Sequence, residues 1–289
     1  MYYTILFLVC QERIKTSLIH YICCAEFFAP FQPKINEKRK NILESNCNLF
    51  GVDISLGTRD DLLARAVSLI GRGGAVATVN PEILNRALTD TELKHALSSS
   101  LCIPDGVGVV LALGRLGYRT ERLPGVELGE LLLEAEGCIH LGIIGGREGI
   151  AERAMQELTV RHRSVIPEFA LCGYAIDHAM VEDILRQRRP DVVFVCLGSP
   201  TQEIFISRMR HVSEKTLFIG LGGSADIYSG AKRRAPVPIR RLGLEWAWRM
   251  MVEPQRLKRA PSLLNFYLNV AKFNRKSGKI GKNKPKLGG

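Results

Sequence analysis

DVVFVCLGSPTQEIF (residues 191–205) is the stretch from which the rest of the chain becomes readable. The apolar run from Val192 to Leu197 reads as a buried strand, and it breaks at Gly198-Ser199-Pro200. Gln202 and Glu203 then open a helical pattern in which Ile206 and Met209 follow Ile204 and Phe205. A strand–turn–helix junction of this kind sets free backbone N–H groups and two polar side chains at the carboxyl edge of a sheet. Open α/β sheets bind phosphorylated ligands at that edge.

The pattern recurs. Residues 139–155, IHLGIIGGREGIAERAM, give a strand, then Gly145-Gly146, then a helix starting near Glu148. Residues 216–226, TLFIGLGGSAD, give a strand running into Gly222-Gly223-Ser224. One glycine at a strand end is often only a tight turn. Three such junctions together point to a nucleotide-binding α/β protein. GLGGSA (220–225) nearly matches a dinucleotide fingerprint, but Pro236 and Pro238 follow too closely for a long helix, so a NAD site is discounted.

Two further junctions carry polar groups. GGAVATVNPEIL (73–84) reads as a strand over Ala75 to Thr78, a turn at Asn80-Pro81 and a helix. Thr78 and Asn80 then stand at the carboxyl edge with a hydroxyl and an amide available to a sugar. LCIPDGVGVVLAL (101–113) gives a short strand, a turn at Pro104-Asp105-Gly106 and a helix from Val107. Asp105 has two readings: a helix N-cap worth about 1 kcal/mol, or a general base on a glycine-flanked turn. Arg122, in RTERLPGVEL (119–128), precedes Pro124-Gly125 and a helix at Glu127. A loop arginine is usually solvated, and facing phosphates it would work together with helix N-termini.

Charge divides the chain of 289 residues unevenly. From Lys232 onward sixteen Lys and Arg face only Glu245 and Glu253, a balance of +14 within a net +11, so the rest carries −3. A basic end on a slightly acidic body suggests a polyanion partner: nucleic acid, an anionic membrane surface or a diphosphate. Eight cysteines are scattered, with Cys102, Cys138, Cys172 and Cys196 in apolar contexts; without CxxC or Cys/His spacing they read as buried thiols in a reducing cytoplasm, and no metal is expected. MYYTILFLVC is apolar for only ten residues, too short for a span and without a basic n-region or clear cleavage site for a signal peptide. Residues 1–48 read as a poorly specified extension, 49–242 as the catalytic-looking domain and 243–289 as a basic amphipathic appendage. In the appendage, GLEWAWRMMVEPQRLKRA (243–260) puts Leu244, Trp246, Ala247, Met250 and Met251 on one face, with Arg249, Arg256, Lys258 and Arg259 around it. That helix could lie in a membrane interface or dock its apolar face on the core, and both could hold at once, with the arginines still presented to lipid phosphates. No helix elsewhere is expected to cross a membrane.

TVNPEI (78–83), PDGVGVV (104–110), RLPGVEL (122–128), LGSPTQE (197–203), GLGGSADIYSG (220–230), RAP (234–236) and LGLEWAWRMMVEPQRLKR (242–259) occur in one order. In these blocks, from about Phe50 to Arg259, the chain resembles the bacterial WecG/TagA/CpsF glycosyltransferases. The resemblance implies a Rossmann-like α/β fold, an open and mainly parallel sheet with helices on both faces, plus the basic helical appendage. It implies metal-independent, inverting transfer from a UDP-sugar to a polyprenyl-diphosphate-linked saccharide in cell-surface polysaccharide synthesis. Asp105 would be the base; Thr78 and Asn80 would position donor or acceptor sugar; Arg122 and Gln202 would contact the transferring region. Gly145, Gly146, Gly198 and Ser199 would line the nucleotide, Gly222, Gly223 and Asp226 its uracil end, and Tyr174 would stack on uracil or ribose. Arg249, Arg256 and Arg259 would meet the lipid diphosphate. Two positions depart from the pattern: Cys196 stands where a glycine is expected and Ala225 where a bulky residue is common. N-acetylmannosamine, its uronic acid and glucose are all donor sugars of relatives, and the shared motifs do not choose among them.

The resulting expectation is an enzyme peripheral to the cytoplasmic face of the bacterial plasma membrane. It takes a UDP-sugar as co-substrate and no cofactor, binds no nucleic acid, and leaves homo-oligomer formation open. A nucleotide-binding α/β protein whose tail grips nucleic acid is the alternative, and it fits poorly with the net-acidic body. A NAD-dependent oxidoreductase or epimerase would want a complete fingerprint and an acidic residue about 20 positions on, and none fits.

Overall fold

The computed structural model describes residues 45–135, 137–241, 243–253 and 260–282. Its strands are β1 (Asn46–Leu49), β2 (Val52–Ser55), β3 (Gly74–Val79), β4 (Leu101–Pro104), β5 (Ile139–Gly145), β6 (Val165–Leu171), β7 (Val192–Cys196) and β8 (Leu217–Gly220). The helices are α1 (Arg59–Val67), α2 (Pro81–Arg86), α3 (Thr91–Ser98), α4 (Val107–Arg115), α5 (Gly125–Ala135) and α6 (Ile150–Arg161). They continue with α7 (His178–Arg188), α8 (Thr201–Met209), α9 (Ser224–Tyr228), α10 (Val237–Arg241), α11 (Glu245–Val252) and α12 (Ala260–Lys282).

One sheet runs β1-β2-β4-β3-β8-β7-β5-β6, parallel from β2 to β6, with β1 antiparallel to β2 at one edge. Helices cover both faces, as a parallel sheet requires. β7 shows why its sequence is a continuous apolar run: Val192, Phe194 and Cys196 enter the core that holds α1, α5, α6 and α9. Val193 and Val195 enter the opposite core with α7 and α8. A third cluster, under β1 to β4, holds α2, α3, α4 and part of α12.

The boundaries differ from the sequence reading in three places. β1 begins at Asn46, ahead of residue 49, because Cys47 and Leu49 point into the core while Asn46 and Asn48 point out. Phe50 (φ 61°) and Gly51 (φ 83°) close the β1–β2 hairpin with two positive φ angles. α6 starts at Ile150 rather than near Glu148, since Gly149 holds φ 75° at its N-cap. α9 has five residues, which keeps the GLGGSA turn from heading a long helix.

The C-terminal segment is more integrated than an appendage. Phe266 and Val270 of α12 are buried in the cluster that contains Phe50, Leu84 and Val109. Phe266 and Phe273 meet Phe50 edge-on at 6.0 and 5.7 Å. Asn269 Nδ2 donates to Asn85 Oδ1 of α2 at 2.8 Å. Among the described residues no helix is long and apolar enough to cross a membrane.

Candidate active site at the carboxyl edge of the sheet

Because β3, β4, β5, β6, β7 and β8 are parallel, their carboxyl ends share one edge, and the polar residues singled out in the sequence stand along it. Its β3–β4 end is the most tightly knit. The Asp105 N–H donates to Val79 O at 2.9 Å, which seats Asp105 beside Asn80. The Leu123 N–H donates to Pro104 O at 2.9 Å, which brings Arg122 to the same turn. Arg122 is half-buried and has no ion pair among the described residues.

Asp105 does not cap the helix that follows it. The N-cap of α4 is Gly106, without a side-chain hydrogen bond. Asp105 Oδ1 instead accepts from the Gly125 N–H at 3.0 Å, 20 residues downstream at the start of α5. The carboxylate is thereby held by one oxygen at the positive end of another helix. It is half-buried.

Asn80 does cap its helix: Oδ1 accepts from Glu82 N at 2.9 Å and Ile83 N at 3.0 Å. Its half-buried side chain has the Nδ2 donors left for other work. Thr78, expected to offer its hydroxyl to a sugar, is buried and spends it on Gly220 O at 2.8 Å. A Cβ on Gly125 would come within 3.1 Å of that hydroxyl, so the glycine lets α5 start directly against β3.

Gln202 and Glu203 form the centre of the edge. Gln202 is only 2% exposed. Its Oε1 accepts from the Gly222 N–H at 2.8 Å, and its Nε2 donates to Glu203 Oε1 at 2.8 Å. Each end of the amide thus has a partner within the protein, and its oxygen holds the Gly222 turn. Glu203, which the sequence reading did not assign, is 3% exposed, and its Oε2 has no hydrogen-bond partner. Burial pushes its carboxyl above the usual range, against hydrogen bonds from Gln202 and Ser199.

Beyond β7 the edge is built from close backbone contacts. A Cβ on Gly145 (φ 145°) would sit 2.4 Å from Cys196 O, and one on Gly173 2.9 Å from the Gly145 Cα. The Gly173 N–H donates to Gly146 O at 2.9 Å. Three loops thus converge with little side-chain bulk, and Tyr174 beside them is 66% exposed. Gly198 (φ 79°) and the exposed Ser199 follow β7. The two departures from the family pattern meet here, since the Ala225 backbone N–H reaches the Cys196 thiol. Burial pushes the Cys196 and Cys102 thiols up to about 12, which leaves neither a thiolate at neutral pH. Cys138, expected to be buried, is exposed, and Cys172 is half-buried.

Asp226, expected near a uracil, is ion-paired to Lys232 at 3.0 Å, and Lys232 also reaches Glu253 at 3.6 Å. Gly222 (φ 56°) is half-buried and Gly223 exposed. Arg249 lies on α11, with its side chain outside the described residues, and Arg256 and Arg259 lie outside them altogether. Among the described residues no group of three or more His, Cys, Asp or Glu could hold a metal ion.

A half-buried ion network ties the edge to the C-terminal segment, and sequence reasoning missed it. Glu127 takes Arg59 and Arg234 at 2.6 Å each, and Arg240 stands at 3.9 Å. Arg234 also faces Glu245 of α11 at 3.5 Å. Glu127, Arg234 and Glu245 belong to the RLPGVEL, RAP and LGLEWAW blocks, so the unassigned charges within those blocks were the available signal. Burial works to raise the Glu127 carboxyl, but the hydrogen bonds from Arg59 and Arg234 outweigh it and hold the group below its ordinary 4.5. A depressed folded-state pKa contributes stability that is present above the unfolded value and lost as pH falls through the folded one. Glu127→Gln is therefore expected to be less stable than the parent at pH 7, with the gap in Tm narrowing as pH drops below about 4.5. A gap that stays constant down to pH 3 contradicts this.

Glu245 is the buried residue of α11, at 7% exposure, while Met251 and Val252 are 55% and 61% exposed, and Leu244 and Trp246 are exposed as well. The helix is thus anchored by a charge and exposes Trp246, Met251 and Val252, while Ala247, Trp248 and Met250 are half-buried.

The Glycosyl transferase WecG/TagA/CpsF family matches residues 47–279. A Bacillus subtilis (strain 168) protein named N-acetylglucosaminyldiphosphoundecaprenol N-acetyl-beta-D-mannosaminyltransferase is 34% identical over 204 residues, which are 69% of this chain and 80% of that protein. Proteins of the same name from Bacillus spizizenii and Staphylococcus aureus (strain NCTC 8325 / PS 47) are each 33% identical. The alignments span 72% and 70% of this chain, and 82% and 81% of those proteins. With a family match over residues 47–279, most of its length, the chain belongs to the WecG/TagA/CpsF family of glycosyl transferases.

Proposed function

We propose that the chain transfers N-acetylmannosamine, or a closely related sugar, from a UDP-sugar to N-acetylglucosamine carried on a polyprenyl diphosphate, with inversion at the transferred carbon. The observation that carries the chemistry is the Asp105 carboxylate, held by one oxygen at the Gly125 N–H and flanked by Asn80 and Arg122. Names of relatives 33–34% identical support the acceptor and the sugar. In the reaction Asp105 takes the proton of an acceptor hydroxyl, and that oxygen forms the new bond to C1 of the donor sugar. The bond from C1 to the β-phosphate oxygen breaks on the opposite face, and UDP leaves with the electron pair. Asn80 holds a sugar through its Nδ2, and Arg122 and the N-termini of α6 and α8 stabilise the charge that develops on the diphosphate. Gly145, Gly146, Gly198, Ser199 and Gly223 line the nucleotide, and Tyr174 stacks on the base or ribose. Thr78 and Gln202 act through the Gly220–Gly222 turn they hold, and Asp226 keeps the next turn in place through Lys232.

The acceptor is membrane-bound, and the segment bearing the exposed Trp246, Met251 and Val252 meets the bilayer from the cytoplasmic side, where Arg249, Arg256 and Arg259 face the lipid diphosphate. A thermal-shift panel of UDP-sugars tests the donor: UDP-N-acetylmannosamine at 100 times its Kd adds about 2.7 kcal/mol, with the shift unchanged in EDTA. No shift with any UDP-sugar, or one that appears only with Mg²⁺ or Mn²⁺, contradicts the reading.

A further inference from the structure

Glu203 sits in the same motif as Gln202 and is as deeply buried, yet the reaction as described gives it nothing to do. Its Oε1 is used by Gln202, and its Oε2 has no partner at all. Among the described residues no Lys, Arg or His forms an ion pair with it. Burial disfavours the charged form of such a group, and the hydrogen bonds from Gln202 and Ser199 offset only part of that.

Its placement is informative. An amide such as Gln202 can be flipped by exchanging its O and N, and only one orientation accepts the Gly222 N–H. The Glu203 oxygen selects that orientation by taking the Nε2 donor. Gly222, at φ 56°, heads the turn after β8. Gly220, two residues earlier, takes the Thr78 hydroxyl, and Thr78 abuts Gly125, whose N–H holds Asp105. One chain of contacts therefore runs from Glu203 to the carboxylate of the proposed base.

We propose that Glu203 is a positioning residue: its Oε1 fixes the orientation of the Gln202 amide, and with it the Gly222 turn on which the donor nucleotide rests. The donor contact rests on the function proposed above; the hold on Gly222 does not. Two readouts keep them apart. Hydrogen-exchange mass spectrometry of the full chain follows the Gly222 amide without any substrate. Steady-state kinetics with UDP-N-acetylmannosamine follow its consequence.

Glu203→Ala is expected to speed exchange at Gly222 at least 10-fold and to raise KM for the donor at least 10-fold, with a smaller fall in kcat. Glu203→Gln keeps an oxygen for Gln202 and no charge, and is expected to stay within about 3-fold of the parent in both. Unchanged exchange at Gly222 in Glu203→Ala overturns the proposal whatever the activity. So does a Glu203→Gln variant with lost protection, since that variant still offers Gln202 an oxygen, and this holds even where Glu203→Ala fails to fold. Fast exchange at Gly222 in a chain that transfers no sugar would sink the function and leave the positioning role standing.

Discussion

Asp105→Asn is expected to lower turnover by roughly 10²- to 10⁴-fold, the range over which positioned general bases act. The substitution is a clean one because of what Oδ1 does. An asparagine keeps an oxygen to accept the Gly125 N–H, so the start of α5 and the contact of Gly125 with Thr78 are preserved. It removes the ability to take a proton. UDP-sugar binding and Tm should therefore stay near those of the parent. Asp105→Ala removes the acceptor as well, leaving a helix N-terminus short of one partner, and should cost about 1 kcal/mol in addition. Near-normal turnover in Asp105→Asn would reduce Asp105 to the cap of α5.

Truncation before residue 243 has the other large effect, on stability rather than chemistry. It strips Phe266 and Val270 from the core and takes Glu245 from the half-buried Arg234, which keeps Glu127. Burying one large apolar side chain is worth roughly 1.5–3 kcal/mol, and two such residues are lost. Against a total stability of about 5–15 kcal/mol the truncated chain should lose at least 10 °C in Tm or fail to fold. A truncated chain with the Tm of the parent would contradict the integration of α12. Membrane attachment is therefore better tested by substitution. Replacing the exposed Trp246, Met251 and Val252 with serine leaves the core untouched. It should weaken binding to anionic liposomes at least 10-fold while UDP-sugar binding is unchanged, and the parent's own binding should weaken with salt. Full liposome binding by the triple variant would move the membrane contact elsewhere.

The parts of this molecule that were legible in its sequence are those with local causes. Strands buried on both faces write themselves as apolar runs, and turns with a positive φ write themselves as the glycines Gly145, Gly146 and Gly222. The edge that collects Asn80, Asp105 and Arg122 follows from parallel strands alone. What stayed hidden depends on partners far along the chain. Glu127 and Arg234 are 107 residues apart, and nothing local marks either as the other's counter-ion. Asp105 looked like the cap of the helix it precedes, but its partner is 20 residues away. Gln202 and Glu203 looked like exposed polar residues opening a helix. They are buried because α8 packs its first turn under the Gly222 turn. In α11 the apolar stripe read as a membrane face, a docked face or both, and only the inward pairing of Glu245 with Arg234 shows that Trp246, Met251 and Val252 are exposed.

The central claim is that this sheet edge moves a sugar onto a lipid-linked acceptor with inversion. Incubating the full chain with UDP-N-acetylmannosamine and a short-chain polyprenyl-diphosphate N-acetylglucosamine, then reading the anomeric configuration of the product by NMR, tests it most directly. The account expects a disaccharide on the lipid with a β linkage formed from an α-configured donor, in EDTA, and none with Asp105→Asn on the same timescale. A product that retains the donor's configuration, or full-rate transfer by Asp105→Asn, would contradict it.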